Sequence, residues 1–190
     1  MVNFYNREVL MQIVLLVGAS GTGKDSLLRA AGQHLVQHTD IVFVRRYITR
    51  PPDNNEDNFY LDTRAFSCLR QQNFFLSHWQ AHGNHYGIGH HQIQDHGLSI
   101  CSVSRTVIRD VEKLFPGRVT VIEVTLPADI LRTRLHQRGR EDEAAIKKRL
   151  VRAEIHTTAS RLIRFDNSDP LESTGPKFTR LLTLLNAQFR

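Results

Sequence analysis

The chain has 190 residues, 41% hydrophobic and 23% charged, which suits one compact domain built on a central sheet with helices on both faces. No apolar run reaches membrane-spanning length and no secretory signal pattern is present, so a membrane partner is not expected. The formal net charge of +6 rests on 20 arginines against 5 lysines, which suits repeated phosphate grips or equally reflects GC-rich coding; their spread along the chain without interleaved aromatic platforms counts against a nucleic-acid surface.

Residues 1–10 read as a disordered leader, and residues 11–190 as a single domain. Ile13–Val17 is an unbroken apolar strand, as expected of a strand buried on both faces. It runs into Gly18-Ala19-Ser20-Gly21-Thr22-Gly23-Lys24-Asp25-Ser26 and then a helix from Lys24 to about Val36. This is the glycine-rich Gly-x4-Gly-Lys pattern of a P-loop, with Asp25 where Ser or Thr is usual. Its glycines let backbone N–H groups curl around a polyphosphate, the helix N-terminus adds its positive end, and Lys24 meets the outer phosphates. A nucleoside triphosphate site over Gly18–Ser26 follows, with Lys24 catalytic. Asp25 has two readings. Its carboxylate is a hard oxygen ligand for Mg2+, supported by Ser26, or it caps the helix.

Ile41–Arg45 is a second strand, after which Pro51-Pro52 prevents a continuing helix or central strand. A polar loop follows over residues 53–58. Thr63 to about Gln71 reads as a short helix, Phe74–Trp79 as a strand and His82–Gly89 as a glycine-rich connector. Residues 90–96 read as a helix ended by Gly97. Leu98–Val103 is a core strand, Arg105–Phe115 a helix, Val119–Val124 another core strand, and Ala128–Gln137 a helix entering an arginine-rich loop. A long helix is expected over residues 141–159, then a strand at Leu162–Phe165 and a closing helix over residues 177–189. Alternating strands and helices predict a parallel α/β sheet with the nucleotide over the strands' carboxyl ends. Cys68 and Cys101 lack CxxC spacing and read as reduced, which fits a cytoplasmic protein. The ten histidines, His82, His85, His90 and His91 among them, match no zinc spacing.

Taken together, these motifs resemble the guanylate kinase branch of the nucleoside monophosphate kinases over about residues 12–186. Tyr47-Ile-Thr49-Arg50 with Glu56 resembles its acceptor-phosphate segment, Phe75-Leu-Ser77 and Gly83-Asn-His-Tyr86-Gly87 its base-reading stretch, and Arg134 to Arg140 with Arg149, Leu150 and Glu154 its lid. The resemblance implies a P-loop kinase fold, a parallel sheet flanked by helices with a mobile lid at about 134–149 and an acceptor-binding subregion at about 46–89. It also implies ATP and Mg2+ as cofactors. The departures are informative. Where that family has a Glu, a Thr and a core-strand Asp to read guanine or organise metal, this chain has Ser77, Ile88 and no carboxylate on Leu98–Val103, and Asp53 replaces an arginine. A buried base edge would lose its partners, at about 1–3 kcal/mol for each group left unpaired.

Gly23-Lys-Asp-Ser26, Arg46-Tyr-Ile-Thr-Arg50 and Arg138-Gly-Arg-Glu141 resemble the ribose 1,5-bisphosphate phosphokinase family of phosphonate catabolism. That resemblance implies a phosphorylated sugar substrate and 5-phosphoribosyl 1-diphosphate as product. Arg46, Arg50 and Arg105 are the expected acceptor clamps, with Glu56 and Tyr86 at matching motif positions. Arg46 reads equally as a solvated loop charge, and Glu56 and Tyr86 as loop anchors. Arg138 and Arg149 are expected to neutralise the transferring group when the lid closes. Trp79 walls off the vacated base pocket or is a core residue, and residues 166–169 border the adenine. The acceptor oxygen is already anionic, so no general base is needed. Rival readings are a nucleoside monophosphate kinase with altered base choice and a non-catalytic guanylate kinase-like binding module. The retained Lys24, Arg138 and Arg149 count against the latter. Oligomeric state is not legible.

Overall fold

The computed structural model describes residues 11–51, 57–138, 143, 146–147, 150–151 and 156–188, with residue 138 described in its backbone alone. The strands are β1 (Met11–Val17), β2 (Ile41–Val44), β3 (Tyr47–Ile48), β4 (Phe59–Tyr60), β5 (Phe75–Ala81), β6 (Asn84–Gly89), β7 (Gly97–Ser102), β8 (Val119–Thr125) and β9 (Leu162–Asp166). The helices are α1 (Lys24–His34), α2 (Thr63–Gln71), α3 (Ile108–Leu114), α4 (Ala128–Arg138) and α5 (Leu171–Ala187).

β1 is buried along its whole length because it must be covered on both faces. Ile13, Leu15 and Val17 face α3 through Ile108 and Val111, with Val119 and Val121 of β8 in the same layer. Val14 and Leu16 face the other way, onto Leu27 and Ala31 of α1 and Phe178 and Leu182 of α5. The main sheet has the order β2-β7-β1-β8-β9, and all of its pairings are parallel. The carboxyl ends of these strands therefore share one edge, where the P-loop leaves β1.

A second sheet, β4-β3-β6-β5, is inserted between β2 and β7. Here the structure corrects the expected connector over 82–89. His82 and Gly83, both at positive φ, form a two-residue hairpin turn, and residues 84–89 return as β6 against β5. Gly87 and Gly89, which suggested a loop, are there for packing. A Cβ on Gly87 would lie 2.5 Å from the Phe75 ring, so the missing side chain lets that ring lie on the strand. The short strands β3 and β4 carry no sequence signal of their own. Residues 90–96 hold one 3-10 turn, His90–Gln92, in place of the expected helix.

The helix expected from residue 177 begins at Leu171 and runs through Pro176, which interrupts a helical hydrogen bond. Tertiary packing outweighs that loss: Phe178 is fully buried, and Gly175 lies close against Ala30 of α1. In the expected helix over 141–159, residues 143, 146, 147, 150 and 151 are helical, but residues 156–159 are not. Leu131 and Leu135 of α4 cluster with Ile146, and Ala19 of the P-loop packs against them.

Gly97 starts β7 where a helix stop was expected. Its φ is +70°, and a Cβ there would stand 2.1 Å from the Asp40 carbonyl oxygen, which also accepts the Leu98 amide at 2.7 Å. Gly97→Ala is expected to cost more than about 2 kcal/mol in urea unfolding, combining left-handed strain with a backbone clash. Gly83→Ala, at φ +76° with nothing within 4 Å, is expected to cost only the strain, about 1–2 kcal/mol. Equal losses for the two variants would show that the clash with Asp40 carries no weight.

Candidate active site

The P-loop joins the carboxyl end of β1 to α1, with Gly18, Gly21 and Gly23 all at positive φ. Two of these glycines are also steric requirements. A Cβ at Gly18 would lie 2.6 Å from the Val124 carbonyl oxygen, and one at Gly23 would lie 2.5 Å from Asn167 Nδ2. Lys24 Nζ donates to the carbonyls of Gly18 (2.8 Å) and Ala19 (3.0 Å), and the Thr22 hydroxyl donates to Ala19 (2.9 Å). Gly23 is the N-cap of α1, so the amides of Lys24, Asp25 and Ser26 lack intrahelical partners and suit an anion.

Asn167, just past β9, buttresses the loop. Its Nδ2 donates to the Thr22 carbonyl at 2.7 Å, and its own carbonyl accepts from Arg134 at 2.9 Å. A cavity of about 310 Å³ opens beside it, lined by Gly21, Gly23, Ser26, Arg134, Asn167 and Asp169 among others. Arg134 thus belongs to this wall of the site, held to the residues after β9.

The expected metal and acceptor residues meet on the other side of α1. Arg46 NH2 lies 3.1 Å from Asp25 Oδ1, its Nε donates to Asn58 Oδ1 at 3.1 Å, and its NH1 donates to Ser102 Oγ at 3.4 Å. The Arg46 side chain is 13% exposed, which corrects the reading of a solvated loop charge. Asp25 is the second residue of α1, behind the Gly23 cap, so its carboxylate serves the Arg46 pair and the helix dipole rather than capping the helix end. Asp25, Arg46, Asn58 and Ser102 line a cavity of about 240 Å³ with Arg29 and Arg45. Ser26 lines the Asn167 cavity instead, apart from Asp25. Ser102 ends the strand that lacks a carboxylate, and sequence reasoning passed over its hydroxyl. For Mg2+, the Asp25 carboxylate and the Ser102 hydroxyl are hard oxygen donors that fit an ion completed by phosphates and water. Among the described residues, no group of three or more His, Cys, Asp or Glu is placed to hold a metal ion.

Arg105, in the 3-10 turn after β7, approaches the P-loop from the β8 side. Its NH2 lies 3.2 Å from Glu123 Oε1, and both residues line a further cavity of about 240 Å³ that Ala19 and Thr22 also border. Glu123 is a buried carboxylate that sequence reasoning missed. Its position in the strand Val119–Thr125, two residues past Val121 on the core-facing row, was the available signal.

The remaining expected residues divide three ways. Tyr86 is buried in β6 and stacked on Trp79, with ring centroids 5.5 Å apart, and Trp79 packs against the first core layer. This fixes Tyr86 as part of the second sheet. Ile88 is 2% exposed within that same core, and its register partner on β5 is the partly buried Ser77. Arg50 follows Thr49, whose hydroxyl accepts the His85 amide at 2.9 Å, and it lines none of these three cavities. Glu56, Arg149 and the Arg138 side chain lie outside the described residues, as do Asp53, Arg140 and Glu154.

Residues 10–174 match the family model described as guanylate kinase. The chain is 38% identical over 179 residues to the ribose 1,5-bisphosphate phosphokinase PhnN of Desulfomicrobium baculatum, spanning 91% of this chain and 95% of that protein. It is 35% identical over 187 residues to the protein of the same name from Dickeya zeae, spanning 95% and 97%. A crystal structure of guanylate kinase from Anaplasma phagocytophilum superposes with a TM-score of 0.67 at 15% identity, covering 94% of this chain and 88% of that one. The parallel sheet, the P-loop buttressed at Asn167 and the inserted second sheet are thus those of a P-loop kinase, and the chain belongs to the guanylate kinase family, within the ribose 1,5-bisphosphate phosphokinases.

Proposed function

We propose that this chain transfers the γ-phosphoryl group of ATP to the 1-phosphate of ribose 1,5-bisphosphate. The products are ADP and 5-phosphoribosyl 1-diphosphate, as a step in phosphonate catabolism. The observation that carries this reading is the treatment of the two ends of the site. The phosphate end keeps its P-loop, Lys24 and flanking arginines. The base end is filled by Ile88 and by the Trp79–Tyr86 stack, with Ser77 where a guanine-reading carboxylate would stand.

In the transfer, the bond between the γ-phosphorus and the oxygen it shares with the β-phosphate breaks. A new bond forms to an oxygen of the acceptor 1-phosphate. That oxygen is anionic at neutral pH, so the protein's contribution is positioning and charge neutralisation. The P-loop amides and Lys24 hold the β- and γ-phosphates. The cavity beside Asn167 takes the adenosine part of ATP, with Arg134 along its wall. Arg46 and Arg105 approach the P-loop from opposite sides, one beside α1 and one beside β8, and with Arg50 they grip a doubly phosphorylated acceptor. Arg138, Arg149, Glu56 and Tyr86 remain proposed contributors by motif, the two arginines from the lid. Asp25 and Ser102 would hold Mg2+, which would supply positive charge against that of the phosphates. Cys68 and Cys101 are free thiols, which supports a reducing, cytoplasmic setting.

Three measurements follow. In a coupled ADP-release assay with Mg-ATP, ribose 1,5-bisphosphate is expected to turn over and GMP to give less than about one hundredth of that rate, from the loss of two or more base contacts. Comparable rates with GMP would return the chain to the nucleoside monophosphate kinases. Asp25→Ala is expected to lower kcat about a hundredfold and to raise the Mg2+ concentration needed for half-maximal rate, with little change in melting temperature. Unchanged turnover would remove the metal role. Lys24→Ala is expected to cost at least about a hundredfold in kcat/KM for ATP, and a loss under threefold would refute the role given to its Nζ.

A further inference from the structure

Glu123 is an anomaly in the core. Along β8 the residues facing α3 run Val119, Val121, Glu123, and the register partner of Glu123 on β1 is Val17, the last residue before the P-loop. Its side chain is only 8% exposed. A buried carboxylate is costly unless it is paired, and a buried ion pair can often be exchanged for well-packed apolar residues without loss of stability. Stability alone therefore gives no reason for a carboxylate in this row. Its partners do. Oε1 faces Arg105 NH2 at 3.2 Å and accepts the Thr157 hydroxyl, while Oε2 lies 3.5 Å from Arg164 Nε. Arg164 is 63% exposed, and water can replace it. Both arginines line the cavity beside the P-loop that Ala19 and Thr22 also border, but Arg105 is only 19% exposed and is held there more closely.

From this geometry we infer that Glu123 is a positioning residue, which holds the Arg105 guanidinium at the P-loop before substrate arrives. The inference rests on the phosphoryl-transfer reading above and deepens it. Arginine has many rotamers, and an arginine that must be ordered during the reaction loses part of its effect to that ordering. A carboxylate anchored in a strand removes this cost, because β8 fixes Glu123 and Glu123 fixes Arg105. Thr157 adds a second link. It is buried, and its hydroxyl donates to the same carboxylate that faces the arginine. The ion pair is built into the fold, and Glu123 acts through Arg105 without touching the reacting atoms.

The test is a double-mutant cycle on the full chain, reading kcat and both KM values with the phosphorylated acceptor that the unmutated protein turns over, with melting temperatures in parallel. Because the readout is a set of ratios, a wrong acceptor would fail the earlier assay without altering them. Glu123→Gln is nearly isosteric and is expected to lower kcat about tenfold to a hundredfold, with KM for ATP within twofold of the unmutated value. Arg105→Ala is expected to lose at least as much, and the double variant to be no slower than Arg105→Ala alone. Arg164→Ala is expected to stay within twofold in kcat. If Glu123→Gln does not fold, Glu123→Asp serves, since it keeps the charge and withdraws it by one methylene; it is expected to show the same selective loss in kcat. Unchanged kcat in the folded Glu123 variant would overturn the inference. So would losses that multiply in the double variant, because Glu123 would then act independently of Arg105.

Discussion

The structure depends on how closely other backbone and side-chain groups approach the P-loop. Gly18 lies against the Val124 carbonyl and Gly23 against the Asn167 amide, each with less room than a methyl group needs. These contacts come from β8 and from the turn after β9, so the loop is clamped by the strands on one side of β1. The Asn167 amide also holds the Thr22 carbonyl, and Lys24 holds the carbonyls of Gly18 and Ala19. An anion site made of backbone has no side chains to adjust, and its geometry is only as good as this clamp.

Around that loop, the arginines proposed to meet phosphate are kept on carboxylates. Arg46 rests on Asp25 and Arg105 on Glu123. Several close guanidinium groups would repel one another and point outward to solvent. Paired, they are held near the place where highly charged substrates meet. The two pairs differ in kind. Asp25 is 40% exposed on the wall of one cavity, whereas Glu123 is 8% exposed and borders another from a strand of the core. Exchange of partner is open to the first, and the second is a fixed support.

Much of this was legible in the chain itself. β1, the P-loop and α1 announce themselves through an apolar run followed by glycines and lysine, and the core strands and the family followed from motif order. Errors fell where glycine signals were taken at face value. Gly83, Gly87 and Gly89 suggested a loop, yet they sit in a hairpin, Gly83 at its turn and the other two where missing side chains make room for aromatic rings. Gly97 suggested a helix stop and is a close contact with Asp40. The closing helix was expected only from residue 177, and it begins at Leu171 and passes through Pro176, with Phe178 buried beyond it. In the site, Arg46 could not be told from a surface charge because Asp25, Asn58 and Ser102 come from three distant segments. Glu123 went unremarked because a lone acid in an apolar strand says nothing until its arginine partners are in view.

The strand order also bears on how the chain reaches this fold. β1 pairs with β7 and β8 and not with β2, so its first hydrogen-bonding neighbour begins at Gly97. During synthesis, a seven-residue strand that ends up buried along its whole length is made early and waits without a sheet partner until the entire inserted second sheet has followed. Such long-range parallel pairing is slow, and an unpaired apolar strand is prone to associate with other chains in the meantime. The arrangement that inserts the second sheet ahead of β7 therefore leaves an apolar strand of the nascent protein unprotected, and recovery of folded protein should depend on temperature and expression rate more steeply than equilibrium stability alone would suggest.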